Sequence, residues 1–157
     1  VATVIKTEES LEEVISSAVG RFRKRFPEVQ VQVCIPESFI MVPMDATLIE
    51  QVINNLLENA YFHSGSHGPI DLQASVDGPY VSIAIRDQGN GIRPELLGTL
   101  FDGGGVSDNQ TGDSHKGMGI GLTLCKTIIN AHGGHIEASN YDKGALFTFT
   151  LPDWREY

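Results

Sequence analysis

The sequence predicts an α/β protein: a two-layer sandwich with a mixed sheet of five to six strands and helices on one face. Three observations carry this. Apolar residues recur at helical spacing over 11–25 and 46–62, and again from Leu122. Runs that alternate apolar and polar residues lie between and after these stretches, as half-buried strands do. The later runs are paired around short turns, Asp77-Gly78-Pro79 and Asp142-Lys143-Gly144, as in hairpins. The order is helix, two strands, helix, hairpin, glycine-rich loop, helix, hairpin, which suits one sheet covered on one side.

The first helix starts at Ser10-Leu11-Glu12-Glu13, a capping box. Leu11, Val14, Ile15, Ala18, Val19 and Phe22 form its apolar stripe, and Pro27 stops it. Its basic end, Arg21-Arg23-Lys24-Arg25, suits a helix C-terminus and is expected to be solvated. Val29, Val31, Val33 and Ile35 alternate as a strand, and 39–42 reads as a second. Asp45 is placed to cap the next helix, 46–62, whose core side is Leu48, Ile49, Val52, Ile53, Leu56, Leu57 and Ala60. The hairpins are expected at 70–76 with 80–85, and at 135–139 with 145–151. A short turn of helix is expected at 94–100, and the last helix at about 120–131, closed by Gly133-Gly134.

At 157 residues the chain is long enough for one domain with a real core, and 1–157 reads as a single domain. Twenty acidic residues against 11 basic give a net charge of -9. That disfavours nucleic acid and anionic membrane as partners, because both select basic surfaces. Cys34 and Cys125 are far apart in sequence and are expected to be buried free thiols. No apolar run approaches the roughly 20 residues of a membrane helix. The chain opens at Val1 without a methionine, and so reads as an excised domain, with any membrane or sensor portion outside it.

The chemistry-bearing residues fall in four places. Asn55 and Asn59 sit one turn apart on the second helix, although asparagine is a poor helix former. Their amide oxygens suit a hard cation that also takes phosphates and water; polar surface is the alternative. Asp87 ends the apolar strand Val81-Ser82-Ile83-Ala84-Ile85 and precedes Gly89 and Gly91. It reads either as a turn cap or as the acceptor for a base's exocyclic amine. The run 102–117 has almost no apolar residues and is expected to be mobile; a loop that long is usually either functional or disordered. Gly117-Met118-Gly119-Ile120-Gly121-Leu122 reads either as a glycine-rich turn that opens a helix and offers free N–H groups to an anion, or as a flexible loop before a packed helix.

Taken in order, Asn55-Leu56-Leu57-Glu58-Asn59-Ala60, Asp87-Gln88-Gly89-Asn90-Gly91, Leu100-Phe101-Asp102 and Gly117-Met118-Gly119-Ile120-Gly121-Leu122 resemble known motifs. They match the asparagine, first glycine, phenylalanine and second glycine boxes of sensor histidine kinases. The closing run Gly144–Pro152 resembles the last strand of the same domain, and 54–60 with 124–134 are similar to potassium-responsive kinases of the KdpD type. The resemblance spans about residues 8–153.

It implies the Bergerat ATP-binding fold, with ATP and Mg2+ as ligands. It implies that Asn55 and Asn59 belong to the catalytic machinery, with Asn59 holding the metal. Asp87 would take the adenine amine and Gly89 and Gly91 the turn beside it. Gly117, Gly119, Gly121 and Leu122 would line the phosphates, and 102–116 would be the ATP lid. The partners implied are a dimerisation domain bearing the acceptor histidine and a response regulator. The location implied is the cytoplasmic part of a membrane-anchored sensor, with the fragment itself monomeric.

Three features qualify the resemblance. Gyrase-type relatives carry a water-activating glutamate four residues before the magnesium asparagine, where this chain has Asn55. That favours phosphoryl transfer to a protein over hydrolysis. None of His63, His67, His115, His132 or His135 precedes an acidic residue, so the acceptor histidine is expected on another domain. Phe62 stands where the asparagine box usually has a lysine, and glycines follow Phe101-Asp102 where an arginine is usual. Lys116 is the nearest candidate to replace those cations, with a solvated lid lysine as the alternative; His115 is a weaker one. The missing cations also motivate a second reading, a degenerate nucleotide-binding module without transfer. A gyrase- or MutL-like ATPase is the third.

Overall fold

In the computed structural model, described residues are 4–35, 40–64, 68–102, 116–141 and 144–153, with the side chains of 63, 64 and 116–120 left out of the description. The expected lid, 102–116, falls almost wholly outside them. The elements run β1 (Thr7–Ser10), α1 (Leu11–Arg25), β2 (Val31–Cys34), β3 (Met41–Met44), α2 (Ala46–Ser64), β4 (Ile70–Asp77), β5 (Tyr80–Arg86), α3 (Pro94–Leu97), α4 (Lys116–Ala131), β6 (His135–Tyr141) and β7 (Gly144–Pro152).

Five strands form the main sheet in the order β2-β4-β5-β7-β6. Only β2 and β4 run parallel; the other three pairings are antiparallel. Side chains alternate across it: Ile70, Leu72 and Ala74 on β4, Val81, Ile83 and Ile85 on β5, and Phe147, Phe149 and Leu151 on β7 are all buried. They meet the apolar sides of α2 and α4, where Val52, Ile53, Leu56, Leu57, Ile128 and Ile129 are fully buried. The mixed sheet with helices on one face is therefore as expected. Its strand count is five, because the expected second strand leaves it. That strand, shifted to Met41–Met44, pairs antiparallel with β1, an element not anticipated. Thr-Glu-Glu-Ser has no apolar alternation to announce a strand; its order comes from pairing with β3.

The helix ends follow the local chemistry. Ser10 caps α1, its hydroxyl accepting from Glu13 N–H at 3.3 Å. Asp45 caps α2 through Leu48 N–H at 3.4 Å. The basic end of α1 is not simply solvated. Arg21 pairs with Glu50 and Arg25 with Glu58, both on α2, and Arg23 donates to the Val31 carbonyl at 2.7 Å. The arginines of both pairs are mostly exposed, so each pair adds little stability. Cys34 also departs from expectation: it ends the edge strand β2 and is exposed, whereas Cys125 is buried. Burial pushes the Cys125 thiol up to about 12, which leaves it protonated and inert.

His132, fully buried just past α4, ties that helix to the start of α2. Its Nδ1 lies 2.8 Å from the Ile128 carbonyl and so carries the proton. Its Nε2 then accepts Asp45 N–H at 3.0 Å. Burial lowers its pKa below the ordinary 6.5, and the charge of Lys6 acts the same way; the Ile128 bond and Asp45 oppose them. The folded state thus binds fewer protons than the unfolded chain as pH falls. Its stabilising contribution should be full above about pH 6.5 and decline below it. Urea unfolding between about pH 7 and 5.5 should show that slope, and His132→Gln should flatten it.

Candidate functional site

The helix-covered side of the sheet ends in a turn that starts with Asp87. Odd-numbered β5 residues face the helices, and Asp87 continues that parity, so its carboxylate falls on the same side. It is only 4% exposed. A buried carboxylate needs hydrogen-bond donors. Oδ1 accepts Gly89 N–H at 2.9 Å and Ala145 N–H at 3.2 Å, while Asp87 N–H donates to the Ala145 carbonyl at 3.0 Å. Both described side-chain bonds go to one oxygen, which leaves Oδ2 for a ligand.

This packing requires a glycine at 144. A Cβ there would lie 1.9 Å from the Asp87 carbonyl oxygen and 2.9 Å from Oδ1. Gly91 has φ +81, a conformation other residues resist, and a Cβ there would lie 2.7 Å from Asn140 Oδ1. The absent side chain therefore makes room for Asn140, a reason beyond the expected approach of a ring. Asn140 was not singled out from sequence. A polar residue late in a strand reads as surface, and its partner, Ile92, is 48 residues away. Gln88 packs on Gly68 from the other side of the turn.

Asn59 is buried at 4% on α2. Asn55, one turn earlier, is half-buried and its Nδ2 donates to the Gly121 carbonyl at 3.5 Å. The same amide faces the Cys125 thiol. Asn55 therefore sits in the seam between α2 and α4. The second glycine box is not a turn ahead of a helix: α4 already begins at Lys116, so Gly117, Gly119 and Gly121 occupy its first turns. The first N–H groups of a helix have no partner within it. Leu122 is 3% exposed and belongs to the core, where its side chain anchors α4. The position of the Lys116 side chain lies outside the description, as do His115 and 103–115.

Phe101 stacks edge-on against Phe147 of β7, centroids 6.3 Å apart, which ties the start of the expected lid to the sheet. Phe62 sits in an aromatic cluster with Phe26 and Tyr61 at the ends of α1 and α2. The position where a phosphate-binding lysine was expected thus contributes to packing. A cavity of about 440 Å³ lies on the opposite, helix-free face, lined by Cys34, Asp71, Gln73, Arg86, Tyr141 and others. It is separate from Asp87 and Asn59. Among the described residues no cluster of three or more His, Cys, Asp or Glu could cage a metal. A magnesium ion fits only in the mode where one protein oxygen joins phosphates and water. The neutral, nearly buried amide of Asn59 suits that. Among the described residues no helix is long and apolar enough to cross a membrane.

Comparison with known proteins agrees with this geometry. The sensor protein KdpD of Clostridium acetobutylicum is 43% identical over 148 residues, covering 94% of this chain but only 16% of that relative. The catalytic domain of histidine kinase ThkA, solved without nucleotide, superposes with a TM-score of 0.80 at 27% identity over 96% of this chain and 99% of that one. ThkA in complex with the response regulator protein TrrA gives a TM-score of 0.77 at 26% identity, over 96% of this chain and 42% of that one. A family model described as histidine kinase-, DNA gyrase B-, and HSP90-like ATPase matches residues 44–155, from the end of β3 past β7. The four ordered boxes, the one-sided sheet and the match over most of the chain lead to one conclusion: the protein belongs to the histidine kinase-, DNA gyrase B- and HSP90-like ATPase family.

Proposed function

We propose that the whole chain is the ATP-binding catalytic domain of a sensor histidine kinase. It would pass the γ-phosphoryl group of ATP to a histidine on a separate dimerisation domain. The observation that carries this reading is the Asp87 carboxylate. It is buried, fixed through Oδ1 by two backbone N–H groups, and presented beside a glycine turn. A carboxylate held that way is a directional acceptor for the exocyclic amine of adenine.

The remaining roles follow from placement. Asn59 offers its amide oxygen to the metal. Magnesium, when bound, offsets the charge on the phosphates. Gly117, Gly119 and Gly121 would line them in the first turns of α4. Asn55 acts as a positioning residue, holding α4 against α2 through the Gly121 carbonyl. An amide cannot take a proton from water, so its place four residues before Asn59 supports transfer over hydrolysis. In the transfer, the bond from the γ-phosphorus to the bridging oxygen breaks. A phosphorus–nitrogen bond forms on the acceptor histidine, and ADP leaves. Residues 102–116 would close over the nucleotide, with Lys116 as the nearest cation to the phosphates. A response regulator would be the next partner, as TrrA is for ThkA in their complex. The domain would work on the cytoplasmic side of a membrane-anchored sensor.

Mixing the chain with a helical hairpin bearing the acceptor histidine and γ-labelled ATP should yield an acid-labile label on the hairpin. Free phosphate without a labelled hairpin would overturn transfer in favour of hydrolysis.

Asp87→Asn keeps an oxygen for Gly89 and Ala145 but turns an amide donor toward adenine. It should fold normally and lose about 1.5–3 kcal/mol of ADP affinity by calorimetry. Unchanged affinity would remove Asp87 from the base. Asn59→Ala should abolish the gain in ATP affinity that magnesium gives the wild type, while leaving metal-free binding nearly intact. An equal loss in both conditions would contradict a metal ligand.

A further inference from the structure

Asn140 makes a paired contact that none of the boxes accounts for. It lies near the end of β6, on the strand parity of Ile136 and Ala138, at the exposed rim of the sheet. Its Oδ1 accepts Ile92 N–H at 2.6 Å and its Nδ2 donates to the Ile92 carbonyl at 2.8 Å. One side-chain amide thus satisfies both backbone groups of one residue, as a neighbouring strand would. Ile92 closes the glycine turn that Asp87 opens. In the β6–β7 register Asn140 stands opposite Ala145, the residue bonded to Asp87. Adjacent positions of one hairpin therefore hold the turn at both ends: Ala145 at Asp87 and Asn140 at Ile92. The missing Cβ of Gly91 is what lets the amide come this close.

We infer that Asn140 is a positioning residue for the nucleotide base. It fixes the turn from Gly89 to Ile92 relative to the Asp87 carboxylate, and so sets adenine affinity without touching the phosphates. This rests on the reading of Asp87 as the adenine acceptor. Without the amide clamp, the hydrogen bonds described for the turn are those at its Asp87 end, with the Ile92 side chain still packed on the core. The turn's conformational freedom must then be lost on each binding event.

The test compares ADP with inorganic tripolyphosphate, which has phosphates and no base, on the intact chain. Asn140→Ala should weaken ADP about tenfold and leave tripolyphosphate unchanged. It should also speed hydrogen exchange at the Ile92 amide. Asn140→Asp keeps the acceptor for Ile92 N–H and loses the donor. It should lie between wild type and Asn140→Ala, and it carries the test if the alanine variant fails to fold. If the wild type binds ADP and both variants bind it equally well, the inference is wrong and the nucleotide reading stands. An equal loss for ADP and tripolyphosphate would also overturn it, since the effect would then be general. A wild type that binds no ADP overturns the nucleotide reading and this inference with it.

Discussion

The site depends on one buried carboxylate and the backbone that holds it. Asp87 lies where β5 stops, and its charge is removed from water. Left unpaired, such a buried polar group would cost several kcal/mol. Two backbone N–H groups pair with it, and one of them belongs to β7, 58 residues away. The turn, the end of the sheet and the start of the last strand are therefore a single unit. Gly144 is part of the same constraint, because no side chain fits between it and Asp87.

Around that point the fold supplies rigid surroundings. The side of the sheet that faces the helices is filled by aliphatic and aromatic side chains from β4, β5 and β7. Beneath α2 and α4 there is no loose layer that would let Asn59 or Asp87 drift. The two helices are also joined by polar bonds: Asn55 to Gly121 in the seam, and His132 to Asp45 at the far end of α4. Both tie α4 to α2.

Much of this was legible in the sequence, and the reasons differ by element. The bounds of α1 followed from Ser10, the apolar stripe and Pro27, all local signals. Both hairpins followed from alternation around turn residues. The four boxes marked the candidate site because their residues are unusual for the elements that carry them. Contacts made only by the folded chain were not legible. β1 exists because β3 is beside it. The arginines of α1 find carboxylates on α2 that no spacing rule links to them. Asn140 and His132 read as an ordinary surface residue and an ordinary helix-end residue until their partners are in place. The early start of α4 was missed because glycine carries a low helix propensity, which the packing of Leu122 and its successors overrides.

Calorimetric titration of the chain with ADP and with GDP, in magnesium, decides whether Asp87 and its turn form an adenine site. Guanine presents a carbonyl oxygen where adenine has its amine, so a carboxylate there attracts one base and repels the other. Micromolar ADP binding with GDP at least tenfold weaker is the result expected. Equal affinity for the two, or no binding of either, would contradict the account.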